Sequence, residues 1–105
     1  MARKVNTVLG SLVVIPEYVI KHVLLRHPEL IHIQFLENTL ASVLISPDFI
    51  VEGKHKELIA LKFVKDLPLK AKYLVVVYEE NKEVITAFAT SKERKFARRK
   101  LIWKR

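Results

Sequence analysis

The apolar residues of this chain change their spacing near residue 46, and this change constrains the class of fold. Between Val19 and Leu44 they recur at helical intervals, at positions 19, 20, 23, 24, 30, 31, 35, 36, 40, 43 and 44. From residue 49 onward they mostly alternate, as in strands with one buried face. Helices followed by a run of strands predict an α+β domain, with N-terminal helices packed on an antiparallel sheet.

Prolines set the expected limits of the helices. Pro16 suits the first position of a helix, and Glu17 beside it is favourable at the positive end of the helix dipole. Pro28 is expected to end this helix and begin a second one, or to kink a single long helix. The second helix is expected to reach Ile45, where the sequence SPD (46–48) stops it. The apolar segment 7–15 before the helices is expected to be extended.

Strands are expected in the second half of the chain, at 49–53, 57–65, 72–80 and 83–91. The last two predict a hairpin, because a β-branched and aromatic run is followed by a turn and an alternating run. Residues 92–100 are expected to form a helical turn, and LIW (101–103) a short final strand. No linker or repeat interrupts the pattern, so the sequence predicts a single domain over residues 1–105.

The composition constrains the cellular compartment in which the protein is expected. The chain contains no cysteine, which excludes disulfides and thiolate metal sites and is compatible with a reducing cytoplasm. No window approaches the ~20 consecutive apolar residues of a spanning helix, so no membrane role is expected. We therefore expect a cytoplasmic protein.

Positive charge is concentrated at the C-terminal end. Residues 92–105 contain eight basic residues and one acid, and they contribute +7 of the +8 net charge of the whole chain. A cluster of this kind favours a polyanionic partner, most often a nucleic acid, although a solvated basic tail is the alternative. The candidate contacts to nucleic acid in this stretch are Lys92, Arg94, Lys95, Arg98, Arg99 and Lys100.

Three histidines lie at intervals of five residues in the helical half. On a helix, this spacing turns each side chain by about 140° from the last, whereas ligands of one metal ion favour intervals of three or four. The sequence therefore predicts no metal site and no cofactor. By helical phase, His27 falls on the apolar stripe and His22 shares a polar face with Arg26. Each is either a structural residue or an acid–base group, and an adjacent arginine suits phosphodiester chemistry.

Four motifs occur in order along the chain: HVLLRHPEL (22–30), PDFIVEG (47–53), KYLVVVYEENKEVITAFATSK (72–92) and KLIW (100–103). In this order they resemble the barnase–EndoU–colicin–RelE-like group of small ribonucleases, in particular its phage and toxin branches. The resemblance covers roughly residues 16–103. It implies N-terminal helices packed on a four-stranded antiparallel sheet. It also implies metal-independent RNA cleavage, in which the ribose 2′-OH attacks the adjacent phosphorus to leave a cyclic phosphate.

Carried onto this sequence, the resemblance implies catalytic roles for His22, His27, Arg26 and Thr86. It also implies a basic residue on a strand, for which Lys54 and Lys62 are the candidates, and phosphate binding near Thr90 and Ser91. Taken alone, Thr86 is a common strand former.

Two other functions stay open at this stage. The chain is either a ribonuclease, for which an acidic antitoxin or immunity-type protein is a candidate partner, or a nucleic-acid-binding module without catalysis. A third hypothesis is a protein-interaction domain with an exposed apolar face.

Overall fold

The structure is a computed structural model that describes residues 2–105. Two α-helices, α1 (Glu17–Arg26) and α2 (Leu36–Ile45), lie between two groups of strands. The first group is β1 (Arg3–Asn6) and β2 (Leu12–Ile15), and the second comprises β3 (Phe49–Glu52), β4 (Leu58–Phe63), β5 (Tyr73–Tyr78), β6 (Val84–Thr90) and β7 (Leu101–Lys104). Short 3₁₀ turns occur at Pro28–His32, Pro68–Lys70 and Glu93–Phe96.

The main sheet has five strands in the order β6-β5-β4-β3-β7, with every neighbouring pair antiparallel. The expected sheet of four strands is therefore wrong. Its four members are β3 to β6, and the short final strand joins them by pairing with β3, which satisfies backbone groups that would otherwise lie at an open edge. The chain reaches that position by crossing from the β6 edge to the β3 edge.

The chain begins with a two-stranded sheet that the resemblance did not imply. Strands β1 and β2 form a hairpin whose turn contains Gly10, with φ at +85°. This hairpin joins the main sheet through a parallel bridge between Val14 and Glu83, where Val14 N–H donates to the carbonyl of Lys82. Only part of segment 7–15 is a strand, because residues 7–11 make the turn.

The helical region is more broken than the apolar spacing predicted. α1 ends at Arg26, and the chain makes a 3₁₀ turn from Pro28 before α2 begins at Leu36. Phe35, just before α2, has left-handed backbone angles, with φ 56° and ψ 53°. A proline followed by a left-handed residue cannot be part of one continuous helix, which explains why residues 28–35 are excluded from α2.

Both helices pack on one face of the main sheet, the inner face. The core between them is apolar and contains Val19 and Val23 of α1, Leu40 and Leu44 of α2, and the inner side chains of β3 to β6. α1 contacts mainly β6, whereas α2 contacts β4 and β5. No helix among the described residues has the length and apolar character needed to cross a membrane.

Candidate nucleic-acid interface

The opposite side of the main sheet, the outer face, carries a second apolar cluster. Alternation along the strands places on it Phe49 and Val51 of β3, Ile59 and Leu61 of β4, Tyr73, Val75 and Val77 of β5, and Phe88 of β6. Neither α1 nor α2 covers this face. Instead, Phe96 packs against it from the segment between β6 and β7 and is only 5% exposed.

This segment, Lys92–Lys100, is called the basic segment. Its apolar anchor is Phe96, and its exposed residues are predominantly cationic: Lys92, Arg94, Lys95, Arg98 and Lys100. Lys95 places its ammonium 5.9 Å from the centre of the Phe96 ring. Because Phe96 is buried against the sheet, the cations are held close to the outer face rather than on a free tail. Ser91, just before the segment, is exposed, and Lys92 N–H donates to the Thr90 hydroxyl.

Strand pairing aligns side chains from five strands in one row across the outer face. Phe49 pairs with Lys104 on one side and Leu61 on the other, Leu61 pairs with Val75, and Val75 pairs with Phe88. Four spacings of about 4.8 Å separate the first and last strands of this row, or about 19 Å in all. The row therefore has a cationic end at β7 and an aromatic end at β6.

Aromatic rings are grouped at one end of the outer face. The rings of Phe49 and Tyr73 meet edge-on at 6.2 Å between centroids, and Phe63 meets Tyr73 at the same distance. Phe63 is 56% exposed, which is unusual for a phenylalanine. Proteins that bind single-stranded nucleic acids combine partly exposed aromatic rings with lysine and arginine. The bases stack on the rings, and the cations neutralise the phosphates.

A pocket of about 570 Å³ opens between these rings and the basic segment. We call it the ring pocket. Its lining contains Phe49, Tyr73 and Phe96 together with Arg99, Lys104 and Arg105. Asp48 also lines it, and its carboxylate accepts from Phe63 N–H at 2.6 Å and pairs with Arg105 at 3.6 Å. The pocket thus combines aromatic walls with several positive charges.

His27 lies at the opposite edge of the outer face. Its ring is 5.9 Å from that of Phe88, and its Nδ1 lies 3.7 Å from the Glu29 carboxylate. About a third of the side chain, 34%, is exposed. Its expected place on the core-facing stripe is wrong, because α1 ends at Arg26 and His27 leaves the helical path with φ at −133°. The imidazole reaches around the edge strand instead.

Thr86 shares the outer side of β6 with Phe88, because it pairs with Val77 and lies two residues before Phe88. His27 and Thr86 therefore lie on the same side of β6, although no hydrogen bond joins them among the described residues. His22 and Arg26 are exposed on α1. Tyr18, one turn before His22, donates to the Glu83 carboxylate, so this side of α1 borders the start of β6.

The two candidate strand lysines lie away from this face. Lys62 is on the inner side of β4, and its ammonium donates to the Ser46 hydroxyl at 2.7 Å. Lys54 is exposed in the turn that joins β3 to β4, as is His55. Of the sequence-predicted residues, the structure thus groups His27, Thr86, Thr90, Ser91 and the basic segment around the outer face. It leaves Lys62 and Lys54 elsewhere.

Three residues of the interface were not among the sequence-predicted contacts: Phe49, Phe63 and Tyr73. The alternation of apolar residues indicates on which side of its strand each of these side chains lies. The sequence around them does not indicate that the α-helices leave the outer face uncovered. Among the described residues, no group of three or more His, Asp or Glu side chains is placed to hold a metal ion.

Comparisons of the chain with protein-family models, with curated proteins and with solved structures found no match. The resemblance to the barnase–EndoU–colicin–RelE-like ribonucleases thus rests on the sequence motifs alone.

Proposed function

We propose that this protein is a metal-independent endoribonuclease of the barnase–EndoU–colicin–RelE-like type that binds single-stranded RNA across the outer face. One observation carries the proposal. A partly exposed histidine, His27, stands at the edge of a sheet face that also bears exposed aromatic rings and an anchored row of cations. Each of these features alone has a structural explanation, but together they provide base stacking, phosphate binding and a proton-transfer group.

In the proposed reaction, the imidazole of His27 acts as general base or general acid at the ribose 2′-OH or at the leaving 5′-oxygen. The 2′-oxygen bonds to phosphorus as the bond from phosphorus to the 5′-oxygen breaks, which gives a 2′,3′-cyclic phosphate and a 5′-OH. Glu29, whose carboxylate lies 3.7 Å from Nδ1, orients the imidazole. Arg26 and His22 lie on the adjacent helix, where a phosphate that crosses the β6 edge would meet them, and Thr86 offers a hydroxyl to the same phosphate.

The direct test is cleavage of a labelled single-stranded RNA in EDTA, with wild type beside His27→Ala. We expect the variant to lose about 10²- to 10⁴-fold in rate, the usual contribution of a general acid–base group. His55→Ala is the matched control, because His55 is exposed in the β3–β4 turn, and its rate should stay at the wild-type level. Loss of wild-type cleavage in EDTA, or full activity in His27→Ala with the loss appearing in His22→Ala, would contradict the assigned role of His27.

A second candidate function is RNA binding without cleavage. It is favoured by the exposure of His22 and Arg26 on α1, because no described side chain is shown to hold either one in place for catalysis. Binding would then depend on the basic segment and the rings alone. Affinity for single-stranded RNA should fall steeply with salt, by a slope of about 0.7 per neutralised phosphate on logarithmic axes, while His27→Ala should bind as wild type.

An acidic protein partner fits the same surface. The basic segment and the C-terminal strand carry nearly all the net charge of the chain, so an antitoxin or immunity-type protein with an acidic face would cover the outer face and exclude RNA. We propose this partner together with a cytoplasmic location. Its simplest consequence is that such a protein inhibits cleavage by competing with RNA.

A further inference from the structure

The ring pocket is built differently from the rest of the outer face. Around His27 the surface is an open edge, whereas the ring pocket is a concave space of about 570 Å³, within the usual range for small-molecule sites. It is lined mainly by β3, β7 and the basic segment, with Tyr73 of β5 on one side, and β3 lies about three strand spacings or 14 Å from β6. Whatever binds there is held at a distance from the proposed site of cleavage.

One residue of the lining, Arg99, has a buried donor without an acceptor among the described residues. The Nε–H of Arg99 is buried, and no described residue accepts a hydrogen bond from it. A buried donor without an acceptor costs about 1–3 kcal/mol, so native proteins rarely keep one without a reason. The guanidinium of Arg99 carries further N–H donors, and the residue lines the pocket, so a ligand with an oxygen or ring-nitrogen acceptor would meet a donor group there.

The remaining lining defines the chemistry of that ligand. Phe49 and Tyr73 line the pocket from the sheet, and Phe96 lines it from the basic segment. Lys104 and Arg105 add two cations at the rim. Asp48 is already engaged by Arg105 and by Phe63 N–H, so its carboxylate steadies the rim and does not leave the pocket acidic. Aromatic walls with cations suit a planar ring attached to a phosphate.

We propose that the ring pocket binds one nucleotide, with its base against Phe49 and Tyr73 and an acceptor on Arg99. In an RNA chain this would be a nucleotide held about three strands from the cleaved bond, which would position the strand and select the substrate. A free mononucleotide carries the same chemistry. The inference builds on the proposed RNA-directed function, but the binding it describes requires no cleavage.

The test measures binding of adenosine 5′-monophosphate to the full chain by amide chemical shifts and calorimetry, with inorganic phosphate as a second probe. We expect shifts at Phe49, Tyr73, Phe96 and Arg99, and weaker binding of phosphate alone. Arg99→Gln should weaken nucleotide binding by at least about tenfold, and Arg99→Lys should weaken it as well, because it keeps the charge but not the guanidinium geometry. Lys21→Gln, an exposed charge change on α1, should bind as wild type.

Stability measurements separate a binding role of Arg99 from a structural one. Since its Nε–H has no partner in the folded protein, Arg99→Gln should unfold at the same denaturant concentration as wild type or at a higher one. A large loss of stability would mean that Arg99 supports the fold and would overturn the assignment. Equal binding of phosphate and the mononucleotide, or shifts away from the pocket, would overturn it too.

The source of the nucleotide is decided by competition. If a short single-stranded RNA displaces the mononucleotide, the pocket holds part of an RNA chain; if RNA binds elsewhere without displacing it, the ligand is a free nucleotide. Both results support a nucleotide pocket. His27→Ala should leave mononucleotide binding intact, so loss of cleavage in that variant and failure of the pocket are separate outcomes.

Discussion

Tyr78 is fully buried on the inner face of β5, and its hydroxyl has no hydrogen-bond partner among the described residues. Burying a hydroxyl without a partner costs about 1–3 kcal/mol. Tyr78→Phe removes that oxygen and keeps the ring, at the expense of a small void. We therefore expect the variant to be more stable than wild type by about 1 kcal/mol at neutral pH, or by about 4–8 °C in Tm for a domain of this size.

The same burial makes the stability of wild type depend on alkaline pH. Burial raises the pKa of Tyr78 to about 12, with the Glu80 carboxylate adding to the effect. In the unfolded chain a tyrosine ionises near pH 10, so the folded state holds this proton more tightly. The contribution is fully present below pH 10 and is lost as the pH rises towards 12. At roughly 1.4 kcal/mol for each pKa unit, the total loss is on the order of 2–3 kcal/mol.

The assay is urea denaturation of wild type and Tyr78→Phe at pH 7, 9, 10.5 and 11.5. The advantage of the variant should be constant up to about pH 9 and should then widen, because only wild type loses this contribution. Tyr18→Phe is the control for other tyrosines: its hydrogen bond to Glu83 also raises its pKa, but the side chain is exposed. A variant less stable than wild type at pH 7, or a difference that stays constant to pH 11.5, would refute the reasoning.

Two further predictions concern the anchor of the basic segment and the first turn. Phe96→Ala removes a buried ring, so the free energy of unfolding should fall by about 3 kcal/mol in urea denaturation. RNA affinity should fall as well, although no charge has changed. Unchanged RNA binding would show that the basic segment acts as a free tail. Gly10→Ala places a side chain at φ +85° in open space, so backbone strain alone should lower stability by about 1 kcal/mol; an unchanged Tm would contradict this.

The strands were predictable because their information is local. Alternation and β-branched runs identified β3 to β6 closely, and the turn at 79–83, with Asn81 at φ 62°, closes the expected hairpin. Strand β1 was missed because Arg3–Asn6 has a single buried apolar residue, Val5. Its pairing with β2 and the contact of the hairpin with Glu83 are non-local, and no periodicity within four residues can indicate them.

The position of His27 illustrates the same limit from the helical side. Helical phase assumes that a helix continues through the residue in question, but α1 ends one residue earlier. Pro28 signalled the break without showing the direction that the chain takes afterwards. That direction, and the contact with Phe88 that follows from it, depend on where β6 lies in the folded sheet.

The structure shows that the basic segment is anchored on the sheet, which its sequence alone did not indicate. As a sequence it was either a nucleic-acid contact or a solvated tail, and charge alone does not separate these two. A tail that serves only solubility needs no apolar anchor, and burying Phe96 restricts both its own rotamers and the chain around it. In the structure this anchor fixes one wall of the ring pocket and leaves Phe63 and Tyr73 uncovered beside it. Cations held next to uncovered rings are more readily explained by a ligand that uses both than by solubility.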